Sequence, residues 1–194
     1  ADVTFADGAD IITASAGTNN FRAGVNAGNS IESGGNFNTV VGDEAGTAIT
    51  TGDNNTALGY GALDANTTAG NNTAVGYAAG TALTTGINST FVGSTSGDAL
   101  TTGNSNVGVG FAALGADTTG GKTTAIGYAA LATQNSTNSA DMFNTAVGYA
   151  AGTAITTGTS NTLIGGQAGD ALTDADNNVA VGRVALGADT LGSR

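Results

Sequence analysis

The sequence predicts an all-β chain wound as a parallel β-solenoid, a β-roll or β-helix, of about ten coils of 17 residues each. Three observations carry this. The unit NTAVGYAAGTAITTG at Asn144–Gly158 recurs as NTAVGYAAGTALTTG from Asn72 and more loosely as NTALGYGALDANTTA from Asn55. A glycine after an aliphatic residue keeps register at Gly42, Gly59, Gly76, Gly93, Gly110 and Gly127, then at Gly148, Gly165 and Gly182; every step is 17 residues except the 21-residue step to Gly148. Third, no 3.6-residue apolar period is present, and the abundant Gly and Thr are poor helix formers.

Residues 1–19 do not fit the repeat. They read as an N-terminal capping or docking segment, since the ends of a solenoid are usually atypical. Residues 20–194 form the repeat domain, with the first coil registered at Gly24. Positions are numbered here from the register glycine as zero. Position −1 is always aliphatic and mostly β-branched, which predicts an inward strand position. Position +3 is Ala in every repeat but the one with Ser96, and +6 is mostly Ala, so both predict a narrow interior. Glycine at zero and at +10 marks corners, which leaves two short strands in each coil.

Positions +4 and +7 trade. Gly46, Gly80, Gly97, Gly152 and Gly169 at +4 accompany Ile49, Leu83, Leu100, Ile155 and Leu172 at +7. Leu63, Leu114, Leu131 and Leu186 at +4 accompany Asn66, Asp117, Gln134 and Asp189 at +7. One shared core volume that holds one large side chain explains this, because overpacking costs roughly 1–3 kcal/mol. The 21-residue step places its extra residues near Thr137–Met142, as a bulge at one corner of a continuing stack.

The bulk composition narrows the function. The chain has 194 residues, a net charge of −11 and four Lys or Arg, so it lacks the electrostatic footprint for nucleic acid or an anionic membrane. No apolar run approaches the roughly 18 residues of a membrane-spanning helix. No His and no Cys are present for acid–base or nucleophilic chemistry, and no disulfide is used. Paired carboxylates remain as a route to glycoside cleavage. The candidates Asp64, Asp98 and Asp170, all at +5, fall on coils that are not neighbours. The repeated calcium motif of some solenoids is absent. No catalytic residue, metal ligand or cofactor is therefore expected.

Two periodic surfaces remain. Tyr60, Tyr77, Tyr128 and Tyr149 all occupy +1, with Phe111 among them. Stacking aligns these five on one edge, either as a seam between subunits, where aromatics are enriched, or as a platform for a glycan or a cell surface. Thr recurs at −3 and +8. Threonines at +8 read as a bonded ladder between coils; a flat outward Thr array would instead bind ice.

The NTAVG and NTALG segments, followed by Ala at +3, resemble the repeats in the heads of trimeric autotransporter adhesins. The NTTAGNNTAVGY and TTGNSN wording is similar to repeats of phage tail fibres and bacterial surface fibres. The resemblance covers residues 20–194. It implies a left-handed parallel β-roll, a homotrimer and an extracellular place on a cell surface or virion.

The expected function is a non-enzymatic structural fibre or shaft. Its partner is itself, with a glycan or cell surface as the further candidate, and with no nucleic acid and no membrane insertion. The alternatives are an ice-binding solenoid and a glycan-depolymerising tailspike. Ala1 stands where Met is absent, as in a processed protein or a fragment. The sequence stops at a coil boundary, which reads as end-to-end docking onto residues 1–19 and an axial polymer.

Overall fold

The structure is a computed structural model and describes residues 16–136 and 138–190. Most of the expected capping segment, the last four residues and Thr137 lie outside the described residues. Ten strands of three residues each follow one another: β1 (Phe21–Ala23), β2 (Thr39–Val41), β3 (Thr56–Leu58), β4 (Thr73–Val75), β5 (Thr90–Val92), β6 (Val107–Val109), β7 (Thr124–Ile126), β8 (Thr145–Val147), β9 (Thr162–Ile164) and β10 (Val179–Val181). They form one parallel sheet in sequence order. Pairing is direct, so Thr56 meets Thr73 and Leu58 meets Val75. The chain is a parallel β-solenoid, and no helix occurs among the described residues.

Each coil carries one strand, where the sequence predicts two. In the second half of the coil, backbone bonds join neighbouring coils without a regular strand, as from Ala82 N–H to the Asp98 carbonyl at 3.2 Å and, at +8, from Thr84 N–H to the Thr101 carbonyl at 2.9 Å. The chain turns on either side of these bonds. The turns use left-handed backbone at +2 and +4, seen at Ala78 (φ 53°) and Leu63 (φ 51°). A third left-handed residue precedes the buried Asn, as at Asn71 (φ 61°). The register glycine is needed for a separate reason. A Cβ on Gly76 would lie 2.5 Å from the Gly93 carbonyl oxygen of the next coil.

Position −2 faces inward and −1 faces outward, opposite to the sequence reading of −1. Val40, Ala57, Ala74, Phe91, Ala125, Ala146 and Leu163 at −2 are buried, whereas Leu58, Val92, Ile126 and Ile164 at −1 are exposed. A three-residue strand has room for one inward side chain, and the flanking turns put it in the middle. Position +6 also differs: its alanines are half-exposed up to Ala171, and Thr133 and Ala188 are exposed, so only the +3 Ala row belongs to the narrow interior.

The trade at +4 and +7 is part of a three-way trade. Ile49 Cδ1 would lie 2.7 Å from a Cβ on Gly46, so +4 and +7 do share space. Position −2 shares it too. A Cβ on Gly28 or Gly46 would come within 2.9 or 2.8 Å of Val40. Phe91 likewise occupies the space above Gly80 and Gly97, and Leu163 that above Gly152 and Gly169. Each large −2 side chain thus fills two coils and needs glycine at +4 in both. Where +4 is Leu63, Leu114 or Leu131, the −2 residues of its own and the next coil are Ala or Gly.

A column of buried polar side chains runs beside this core at −4. Asn55 Oδ1 accepts the Asn72 backbone N–H at 3.1 Å, and Asn72 Oδ1 accepts that of Ser89 at 2.9 Å. The Asn72 amide nitrogen donates to the Gly86 carbonyl at 2.9 Å. The expected bonded Thr row is also present. Thr84 Oγ1 donates to the Thr101 carbonyl at 3.1 Å, and Thr101 Oγ1 to that of Thr118 at 2.7 Å.

Candidate functional site: the outward strand face

The site is the outer face of the single sheet together with the edge beside it. Direct pairing repeats three outward positions at every rung: −3, −1 and +1. At −3 the rungs from β3 to β9 carry Thr, except for Val107 on β6. All seven of these −3 side chains are half-buried.

The five residues expected at the edge are brought together there. Tyr60, Tyr77, Phe111, Tyr128 and Tyr149 are all 50–59% exposed. They make two stacks. Tyr60 lies on Tyr77 with ring centroids 5.5 Å apart and planes 12° from parallel. Phe111, Tyr128 and Tyr149 stack at 5.3 and 5.2 Å. Ser94 separates the two stacks, and Gly166 follows the second. Ring pairs at this spacing add about 0.5–1.5 kcal/mol beyond burial, so each stack holds its own rings in place.

Sequence reasoning missed the row next to the rings. The −1 aliphatics run along the outside, with Leu58 45%, Ile164 41% and Ile126 37% exposed. The signal for it was present: −2 varies in step with +4, as a core position must, while −1 does not. From β3 to β9 no charged residue stands at −3, −1 or +1. In a chain of net charge −11 this uncharged apolar strip is set apart from the acidic remainder.

The other candidates are placed elsewhere. Asp64, Asp98 and Asp170 sit half-buried on the coils of β3, β5 and β9 and do not converge. Burial raises the Asp98 carboxyl above its ordinary value, against hydrogen bonds from its own and the Ala99 backbone N–H. Among the described residues no group of three acidic side chains is placed to hold a metal ion, and no helix is long and apolar enough to cross a membrane.

The insertion bulges as expected while β7 and β8 pair directly. Lys122 Nζ reaches Asp141 Oδ2 at 2.7 Å and lies 5.3 Å from the Phe143 ring centre. An open cleft of about 210 Å³ beside it is lined by Ser136, Asn138, Ala140, Met142, Thr157 and Thr159.

No protein-family model, curated protein or solved structure matches this chain.

Proposed function

We propose that the chain is a non-enzymatic structural rod, a shaft segment of a cell-surface appendage or virion fibre, that assembles with copies of itself. The observation that supports this is the uncharged outward strip of the −1 and +1 rows. Water contact with so long an apolar strip is unfavourable, and covering it releases roughly 25 cal/mol per Å². The chemistry of the chain points the same way, since it offers neither His nor Cys. Electron microscopy and sedimentation of the purified protein test the reading. Rods of more than one chain are expected. A monomer at the highest attainable concentration would overturn it.

Ice binding is the second reading, and one observation favours it. The outward Thr at −3 and aliphatic at −1 form a regularly spaced lattice, whereas the +8 hydroxyls of Thr84 and Thr101 are occupied by carbonyls of neighbouring coils. A thermal-hysteresis assay separates the two: activity that is lost on placing Lys at Thr73 and Thr145 would establish ice binding.

A further inference from the structure

We propose that the outward strip pairs with the same strip of a second copy in antiparallel orientation, about a two-fold axis that runs along the strand direction at the level of Phe111. The proposal rests on the self-assembly reading and specifies its geometry.

The choice of a second copy follows from the spacing. The strip repeats at every rung, about 4.8 Å apart. A partner that touches every rung must repeat at the same interval, and another copy of this chain does. The two-fold axis along the strand direction also sets like row on like row, so +1 faces +1 and −1 faces −1.

The antiparallel direction follows from the order of residues at +1. Counted outward from Phe111, the first rung has Ser94 on one side and Tyr128 on the other. Reversal therefore puts the Tyr128 ring of one copy into the gap left by Ser94 of the other. The second rungs, Tyr77 and Tyr149, set ring against ring. At the third, Tyr60 meets the second gap, Gly166. The fourth rungs carry the only charges of the row, Asp43 and Arg183, both exposed and of opposite sign. The −1 row obeys the same symmetry, with Val92 opposite Ile126 and Leu58 opposite Ile164.

A parallel arrangement, as in the trimer implied by the adhesin-head resemblance, brings identical rungs to one level. Asp43 then neighbours Asp43, Arg183 neighbours Arg183, and both gaps coincide. From the rung of Asp43 to that of Arg183 the face measures roughly 40 Å by 13 Å on each copy, so the antiparallel pairing covers about 1,000 Å² in all, the lower bound for a specific interface. Rods that project from two facing surfaces meet in this antiparallel sense, which would make the chain its own receptor.

Single cysteines test this without background, because the chain has none. Full-length chains with Asp43→Cys and with Arg183→Cys are mixed and oxidised. Mixed 43–183 disulfides are expected to dominate over 43–43 and 183–183. Dominant 43–43 disulfides would overturn the antiparallel pairing and leave self-assembly standing. No disulfide together with a monomer in sedimentation would remove both readings. A second pair of variants reads the charges: Asp43→Arg should weaken the pair several-fold by facing Arg183, and adding Arg183→Asp should restore it. No recovery in the doubly substituted chain would overturn the antiparallel pairing.

Discussion

Gln134 Nε2 lies 2.6 Å from Asp117 Oδ2, with both side chains fully buried. The same nitrogen donates to Thr123 Oγ1 at 3.1 Å, and Gln134 Oε1 accepts from Asn144 Nδ2 at 2.8 Å. Thr123 stands at −4 where most coils have Asn, at the rung next to the 21-residue step. Gln134 thus supplies the amide that the polar column lacks where the insertion interrupts it. Gln134→Ala should cost about 3 kcal/mol, because it leaves a buried carboxylate oxygen without its donor and removes one of the bonds made by Thr123 and by Asn144, which keep those to Gly121 and Gly158. A thermal melt read by circular dichroism measures it.

Two buried asparagines should behave oppositely. Asn72 ties the Gly86 corner of its own coil to Ser89 of the next through its side-chain amide, so Asn72→Ala should destabilise by about 1–3 kcal/mol. The Asn66 side chain is equally buried, yet neither its oxygen nor its nitrogen has a hydrogen-bond partner. Asn66→Ala should be neutral or stabilising. Equal losses from both would show that the column is not what Asn72 contributes.

The three-way trade is testable in the coil of Gly152. Its Cβ would lie 2.7 Å from Leu163 Cδ1, 2.8 Å from Leu131 Cδ2 and 3.3 Å from Ile155 Cδ1. Gly152→Leu should destabilise by at least about 2 kcal/mol, from overpacking and from a left-handed backbone position. Adding Ile155→Asn alone should restore little. Adding Leu163→Ala as well recreates the surroundings of Leu131, which has Leu114 in the coil before it and Ala at −2 of its own and the next coil, and should restore more. A double variant as stable as the triple would mean that −2 has no part in the trade.

Asp98 sets a pH dependence. Its carboxyl is raised in the fold above the ordinary value of 3.8, chiefly by burial. The folded state therefore holds its proton more tightly than the unfolded state. The resulting stabilisation is full below 3.8 and is lost as pH rises through the folded value. Asp98→Asn should raise the melting temperature at pH 7 and have little effect near pH 3. A gain that is the same at both pH values would exclude the carboxyl as the cause.

Tyr77→Ser together with Tyr149→Ser removes the two rings that stand second from Phe111. The assembly should weaken at least tenfold, with the β-type circular dichroism retained, since both rings are more than half exposed. Unchanged sedimentation would place the contact elsewhere.

The fold was legible because every coil restates it: the 17-residue step, the register glycine and the +4/+7 exchange are each seen several times in one chain. The direction of the strand was not. Apolar alternation needs length, and Thr56–Leu58 offers only one alternation, in which the larger residue, Leu58, is the outer one. Val75 and Ala74 repeat the arrangement on β4, so bulk at −1 misleads while Ala at −2 hides a core position. The Asn column is hidden in the sequence, because Asn serves turns in isolation. Only stacking shows that Asn55 reaches the backbone of the next coil. The edge was legible through its rings, but not its neighbouring aliphatic row, which depends on the strand direction.

The direct register has a hereditary consequence. From β2 to β7 every rung bonds to residues 17 further on. Loss or duplication of one whole repeat in the coding sequence leaves those backbone bonds with equivalent partners. What distinguishes one cut from another is the side-chain trade. Excising the coil of Leu63 rejoins Gly46 to a coil with Ala74, whereas excising the coil of Phe91 leaves Gly80 beneath Gly108 and opens a void. Rod length can thus drift in whole-coil steps, but only through the junctions that large −2 residues do not straddle.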